Sequence, residues 1–380
     1  LAQREESLSA RGRMALVSGV LEGRLSASGI YRDRLSTCMS CLACEAACPS
    51  GVPVTEIVQA AKEQALREAG AVIIDTVLAG LVKHPAAFRA AARLAPAALH
   101  YTRGQGARDR GRKERSVSGV QSLKKQRSKG TIAFFPGCAV EYFQPDIEQA
   151  TISILNAMGY DTIIPEGLMC CGRPLLSLGD VRGARGLAEQ NNALLADLAV
   201  DAVVTACASC GLTFKREYPK LLRPGAKRPV VLDIHEFLSG RISEVPLDPV
   251  NTTVTWHDPC HLGRGQGLSE TAREVLRSVP GLTLVEMKNA GRCCGFGGVM
   301  RISRRGLSDA VAADKVKSIV ATGASLVVTG CPGCRMQIAD ALTRKSSDIK
   351  VMHTVQLLAA ALTDAERQTA GKKNRGLQPA

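Results

Sequence analysis

From residue 131 onward, short apolar runs alternate with stretches whose apolar residues recur at helical spacing. Thr131–Pro136, Thr162–Pro165, Ala202–Thr205 and Val230–Ile234 are predicted strands, with predicted helices over Asp146–Met158 and Val181–Leu198. The same order then returns. Thr253–His257, Leu282–Glu286, Leu326–Thr329 and Ile349–Met352 read as strands, and Ser269–Ser278, Leu307–Ala321 and Arg335–Leu342 as helices. Strands separated by helices need crossover connections, so each copy is an α/β unit with a mostly parallel sheet. Ligands of such sheets collect beyond the carboxyl ends of the strands.

The chain before these repeats has a different pattern. Residues 1–102 read as helical, with Thr55–Ala69 carrying Ile57, Val58, Ala61, Ala65 and Leu66 at helix-like spacing. Ala71–Leu81 is mostly apolar with Asp75 as its single charge; core packing is the expectation, against a partner-facing or membrane-surface helix. The expected organisation is a helical domain over 1–102, a linker over 103–130, repeats over 131–248 and 249–363, and a tail over 364–380.

Composition narrows the function. The 380 residues are 45% hydrophobic, enough for several cores, and 3% aromatic, which argues against base-stacking surfaces and nucleic acid. The net charge of +14 is concentrated between Arg103 and Lys129, where ten Lys/Arg face only Asp109 and Glu114. Such a stretch is expected to be a solvated linker, with anionic lipid or an acidic partner as the alternative. No run reaches the roughly 18 apolar residues of a spanning helix. Leu1–Arg13 lacks the apolar core of an export signal, and fourteen cysteines then point to a reducing, cytoplasmic setting and to metal rather than disulfides. Leu1 is not a methionine, so the expected N-terminus lies upstream.

The cysteines fall into three groups. Cys38-x2-Cys41-x2-Cys44-x3-Cys48-Pro49 has ferredoxin spacing, which places three thiolates on one tight loop for a cubane cluster. Cys138, Cys170-Cys171-Gly172 and Cys207-x2-Cys210 form the second group; Cys260, Cys293-Cys294-Gly295 and Cys331-x2-Cys334 repeat it. Each motif begins where a predicted strand stops. Five thiolates exceed the four ligands of zinc, and neighbouring cysteines are badly placed for a disulfide, so a multi-iron cluster suits them best. Gly172 and Gly295 are expected to let the backbone pass close to it.

Other residues have weaker claims. His257 and His261 bracket Cys260, and a backbone-bonded histidine is preferred there over a ligand or proton relay. His235 and His353 are expected in core or capping roles. Gly263-x-Gly265-x-Gly267 and Gly295-x-Gly297-Gly298 lack the nucleotide-binding spacing and read as tight turns near a cluster. Arg173 and Arg292 flank the cysteine pairs, either as charges favouring a reduced cluster or as surface ion pairs.

The five-cysteine spacing is similar to the cysteine-rich CCG domain that occurs twice in one of the subunits of heterodisulfide reductase. That resemblance implies a noncubane [4Fe-4S] cluster in each repeat. The segments Glu5–Arg13, Val20–Gly23 and Cys38–Val52 resemble the iron–sulfur subunit of glycolate oxidase and its D-lactate and 2-hydroxyacid dehydrogenase relatives. The family's first ferredoxin motif is absent here, and all five cysteines are kept in both repeats. The resemblance implies a helical ferredoxin-like domain followed by two pseudo-symmetric CCG repeats, binding clusters through all fourteen cysteines. It implies electron transfer from an FAD-containing dehydrogenase subunit to an acceptor such as quinone, with peripheral contact at the inner face of a membrane. Nothing in the sequence offers a substrate pocket with a triad or a carboxylate pair, so as part of an oxidoreductase it is not expected to turn over hydroxyacid alone. The alternative is a heterodisulfide-reductase-like protein reducing a disulfide at a noncubane cluster, and a zinc-stabilised scaffold is a third reading.

Overall fold

The structure, a computed structural model, describes residues 5–94 and 128–364. Among these, eight strands form two all-parallel sheets. The first comprises β1 (Thr131–Phe134), β2 (Asp161–Ile163), β3 (Ala202–Thr205) and β4 (Val231–Asp233) in the order β2-β1-β3-β4. The second comprises β5 (Thr252–His257), β6 (Leu282–Val285), β7 (Leu326–Thr329) and β8 (Lys350–His353) in the order β6-β5-β7-β8. Matching registers, Ile132 opposite Ala202 in one sheet and Val254 opposite Leu326 in the other, make the second sheet a copy of the first.

Strand alternation assigns each sheet two different faces. Ala133 on β1 and Phe135 just beyond it pack with Leu175, Leu187, Val203 and Tyr218 in the core that contains Cys170, Cys171, Cys207 and Cys210. Ile132 and Phe134 point the other way, into a core shared by both repeats. There the helix Thr354–Ala361, which follows β8, packs on Pro145–Ala157 of the first repeat. The helix Ile234–Leu238, which follows β4, packs on Ser269–Arg277 of the second. The last helix of each repeat therefore packs on its own sheet and on the other repeat together, and neither repeat buries its apolar surface alone. Arg335 locks the seam, donating to Gln144 Oε1 at 2.8 Å and pairing with Asp146 Oδ2 at 3.0 Å.

The expected strands all form, with ends shifted by a few residues. The helix expected over Arg335–Leu342 starts earlier, at Pro332, because proline fits the first turn where no amide hydrogen is needed. Short helices over Gly137–Phe143, Arg173–Leu178 and Cys260–Gln266 were not signalled by periodicity. Val54–Ala69 forms as expected and packs Val58, Ala61 and Ala65 against Val17, Tyr31 and Leu35.

The apolar segment differs from its expectation. It is a helix over Ile73–Lys83, but Ile73 is 85% and Val77 54% exposed. Only one edge, with Ala79 and Val82, reaches the core of the first repeat, and no second layer among the described residues covers the rest. The basic stretch from Arg103 lies outside the described residues up to position 127, as do the tail residues 365–380.

Candidate metal centre

Each cysteine motif sits beyond the end of a strand. Strand β1 leads to Cys138 in the first turn of Gly137–Phe143, and β5 to Cys260 at the start of Cys260–Gln266. The fully buried central strands β3 and β7 deliver Cys207 and Cys331 as the residues preceding the next helices. The loops after β2 and β6 deliver the two cysteine pairs.

Side chains from the three loops of each repeat converge. In the first, Cys138 and Cys170 Sγ atoms are 3.5 Å apart. Cys171 accepts hydrogen bonds from Cys170 and Cys210, which hold its thiol well below the usual range. Cys170 is pushed up by Cys138 and Cys171 and by burial. The second repeat copies this. Cys294 and Cys334 Sγ atoms are 3.3 Å apart; Cys294 is held down by Cys293 and Cys334, while Cys334 is pushed up by Cys294, Cys331 and burial. Cys260 is raised by the adjacent Cys293. Charge on one sulfur is thus held by protons on its neighbours, so the five cannot ionise together without a bound cation among them.

The two sets also meet each other and the N-terminal loop. Cys331 is pushed down by hydrogen bonds from Cys207 of the first repeat and from Cys334. Cys41 is pushed up by a hydrogen bond with Cys293 and by burial, and Met39 Sδ lies 3.6 Å from Cys293 Sγ. Cys44 is raised by burial and by Cys38 and Cys41 nearby. Cys48, at the end of the loop, is half-buried.

His261 ties all three motifs together. Its Nε2 is 3.0 Å from the carbonyl of Ser40, between Cys38 and Cys41, and its Nδ1 is 2.9 Å from Ser209 Oγ, between Cys207 and Cys210. A carbonyl only accepts, so Nε2 carries the proton and Nδ1 accepts from the Ser209 hydroxyl. Burial lowers this histidine to about 4, keeping it neutral. Arg264 adds a bond to the Cys41 carbonyl at 3.1 Å, and the loop stays in place although Ser40 and Leu42 have positive φ. The backbone-bonded reading suits His261. Among the described residues neither buried ring nitrogen of His257 has a partner at hydrogen-bond geometry, and His257 lies with Cys294 and Cys334 in a group with ligand atoms within 4.8 Å.

Several other expectations change. The Cβ of an alanine at Gly172 would meet Ala184, and at Gly295 it would come 2.5 Å from the Ser308 carbonyl. What these glycines admit among the described residues is the helix Val181–Leu195 in the first repeat and Arg305–Val320 in the second. Gly137 admits the sulfurs: a Cβ there would stand 2.8 Å from Cys210 Sγ. Gly263 and Gly265 lie within a helix, where Gly265 makes room for Leu212 of the first repeat, and only Gly267 makes a turn. Arg173 and Arg292 part company, as Arg173 is buried against Glu217 at 3.1 Å and Arg292 pairs with Asp314 at the surface. His353 caps the helix Thr354–Ala361, and His235 bonds Asp233 and Thr354 in the core.

Buried Lys62 and Lys315 escaped sequence reasoning. Lys62 Nζ donates to the Cys38 and Ser177 carbonyls at 3.3 and 3.0 Å. Lys315 Nζ donates to the Asn289 and Ala290 carbonyls at 2.8 and 3.0 Å, and burial lowers it to about 8. Both sit on helices with ordinary surface lysines or glutamates nearby, so no local signal separates them.

Two parallel sheets, each ending in five convergent thiols, define a duplicated cysteine-rich protein. The cysteine-rich CCG domain matches residues 132–215 and 254–339. The chain is 39% identical over 240 residues to a subunit of the fumarate reductase (CoM/CoB) of Methanothermobacter marburgensis, covering 63% of this chain and 48% of that one. It is 30% identical over 347 residues to a subunit of the dihydromethanophenazine:CoB–CoM heterodisulfide reductase of Methanosarcina barkeri, covering 87% and 79%. It is 28% identical over 403 residues to the probable glycolate oxidase iron-sulfur subunit of Bacillus subtilis, covering 94% and 89%. The chain belongs to the family of CCG-domain iron–sulfur subunits that includes this heterodisulfide reductase component. It spans about half the length of the fumarate reductase relative. No helix among the described residues is long and apolar enough to cross a membrane.

Proposed function

We propose that this chain is the electron-transfer subunit of a flavin-dependent 2-hydroxyacid dehydrogenase. An FAD-bearing partner takes two electrons and two protons from glycolate or D-lactate, leaving the 2-oxoacid, and the electrons pass through this chain to an acceptor such as quinone. One observation carries the reading: cysteine side chains run in contact from Cys41 to Cys293, through Cys294, Cys334 and Cys331, across to Cys207, and on through Cys210, Cys171 and Cys170 to Cys138. Iron–sulfur clusters, when bound, supply one-electron storage along such a path.

Cys38, Cys41 and Cys44 are the proposed ligands of a ferredoxin-type cubane in the N-terminal domain, with a fourth ligand from elsewhere, and Cys48 is the proposed ligand of a second cluster. Cys138, Cys170, Cys171, Cys207 and Cys210 serve the first repeat, and Cys260, Cys293, Cys294, Cys331 and Cys334 the second, each for a noncubane [4Fe-4S] centre. The mutual proton-holding of these thiols and the glycine cradle at Gly137 fit a bound metal centre. His261 and Arg264 orient the N-terminal loop against the second repeat, and burial keeps water from the inner sulfurs. The proposed setting is cytoplasmic, with a peripheral membrane contact.

A second reading is favoured by the meeting of two complete five-thiol sets at Cys207 and Cys331, and by the heterodisulfide reductase among the relatives. In it, two electrons and two protons split a bound disulfide into two thiols. Anaerobically purified chain separates the readings. The first expects iron, acid-labile sulfide, and an EPR signal that appears with glycolate or D-lactate only when the flavin subunit is added. Disulfide consumption by the chain alone with a viologen donor would favour the second, and zinc without sulfide would overturn both.

A further inference from the structure

We infer that the two sulfur sites are not redox equivalents: Lys315 and His257 make the second-repeat site the one that is reduced first. The inference rests on the proposed binding of clusters and adds an order to it. The two repeats can be aligned on their cysteines, and the alignment exposes two substitutions beside the sulfurs. Phe135 stands three residues before Cys138, and His257 three before Cys260. Gly172 is backed by Ala184 and Gly295 by Ser308; seven residues further along those helices stand Asn191 and Lys315.

At the first site the Asn191 amide is neutral. It accepts from the Met169 amide at 2.8 Å and donates to the Cys170 carbonyl at 3.1 Å, holding the loop that carries the cysteine pair. Arg173 is a buried cation beside this site, but its charge is cancelled by Glu217 at 3.1 Å; buried Lys62 reaches the same helix at the Ser177 carbonyl, and the cysteine it bonds is Cys38 of the N-terminal loop, through its carbonyl. At the second site Lys315 holds the equivalent loop through the Asn289 and Ala290 carbonyls. Lys315 is 1% exposed, and no carboxylate among the described residues pairs with it. Its ammonium also lies 3.8 Å from Met287 Sδ, in the same core as Cys294, Cys331 and Cys334. Arg292 is held at the surface by Asp314, and Asp258 beside His257 is engaged by Arg273 at 3.4 Å.

Reduction adds negative charge, and an uncompensated buried cation stabilises that charge more strongly than a neutral amide or a closed ion pair does. His257 acts in the same direction. Its ring is completely buried, its nitrogens have no partner at hydrogen-bond geometry among the described residues, and it stands with Cys294 and Cys334 in a set within 4.8 Å. A neutral imidazole there can donate N–H to sulfur, and such hydrogen bonds raise the potential of an iron–sulfur centre. Phe135 has no such donor. The N-terminal loop also reaches the second site, through Cys41 and Met39 against Cys293. The higher-potential site is therefore the one next to the N-terminal sulfurs.

The test is an EPR-monitored dithionite titration of the anaerobically purified full chain. Signals are assigned by their loss in Cys210→Ser and Cys334→Ser, and iron and sulfide are measured in every sample. In the wild type, the signal lost in Cys334→Ser is expected to titrate at the higher potential. Lys315→Met should lower that midpoint by at least tenfold in the reduced-to-oxidised ratio, about 59 mV for one electron. Lys315→Arg should restore most of it, and His257→Phe should lower it in the same direction. Both sites titrating together in the wild type, or the first site titrating higher, would overturn the inference without touching cluster binding. So would a Lys315→Met midpoint unchanged at full iron content. A chain without iron or sulfide would remove cluster binding and this inference together.

Discussion

The two repeats share strand order, register and the placement of five cysteines, yet they handle the surroundings of those cysteines differently. In the first, the residue after Gly172 is Arg173, and it forms a buried ion pair with Glu217; both side chains are 10% exposed. In the second, Arg292 precedes the cysteine pair and reaches Asp314 at the surface, where the two are 44% and 41% exposed. A duplicated scaffold thus preserves what the strands deliver and leaves the lining free to diverge. The largest effect should come from breaking the buried pair. Arg173→Met leaves Glu217 uncompensated in the interior and should cost about 3–5 kcal/mol. Arg292→Met should cost about 0–1 kcal/mol, because an exposed pair is screened by water. Anaerobic urea unfolding of the two variants measures both; equal losses would mean that the burial difference does not decide the matter.

A smaller contrast is built into the glycines. Gly172 and Gly295 both have positive φ, at 90° and 93°, so an alanine at either is strained by about 1–3 kcal/mol. Their surroundings differ. The added Cβ would stand 3.3 Å from the Ala184 carbonyl in the first repeat but 2.5 Å from the Ser308 carbonyl in the second. Backbone cannot rotate away as a side chain can, so Gly295→Ala should be the more damaging of the two. A thermal midpoint lower for Gly172→Ala would show that the second helix yields more readily than its packing implies.

Much of this arrangement is legible in the sequence, and the reason is local. Ala202–Thr205 and Leu326–Thr329 are short β-rich runs followed at once by Cys-x2-Cys, so strand and ligand loop announce each other. The doubling of the pattern reinforces both. What escapes is tertiary. Lys315 shares its helix with exposed Lys317, and only the fold buries one of them. The packing of each final helix across the seam leaves no trace in spacing, because Thr354–Ala361 would be equally apolar if it faced its own sheet alone. Cys-rich and Gly-rich segments such as Cys260–Gln266 are too short and too weakly periodic to declare a helix.

The caps after β4 and β8 give a pH-dependent contrast. Asp233 caps Ile234–Leu238, whereas His353 caps Thr354–Ala361 by accepting from the Val355 amide at Nδ1. A capping nitrogen must be unprotonated, and burial lowers His353 to about 3. Above about pH 6.5 the ring is neutral both folded and unfolded, so it adds no pH dependence. As the pH falls from there toward 3, the unfolded chain takes up a proton that the folded one refuses, and stability drops. The slope contributed is about 1.4 kcal/mol per pH unit. In metal-free protein, His353→Asn keeps a capping side chain and should flatten the fall between these limits. An unchanged slope would assign the acid sensitivity to other groups.

The smallest expected effect separates the repeats from the N-terminal region. Within the repeats, apolar helices face apolar sheets, and truncating Ile154 or Leu358 in the shared core should cost about 2–5 kcal/mol. The helix Ile73–Lys83 is as apolar as those, but Ile73 and Val77 project into solvent. Little is removed from water by their side chains, so Ile73→Ser and Val77→Ser should each change stability by less than about 0.5 kcal/mol. Urea unfolding of the double variant, set beside Ile154→Ala, measures the difference directly. A loss comparable to the core truncation would mean that this face is covered in the protein in solution, and would restore the core packing that its hydrophobicity alone suggests.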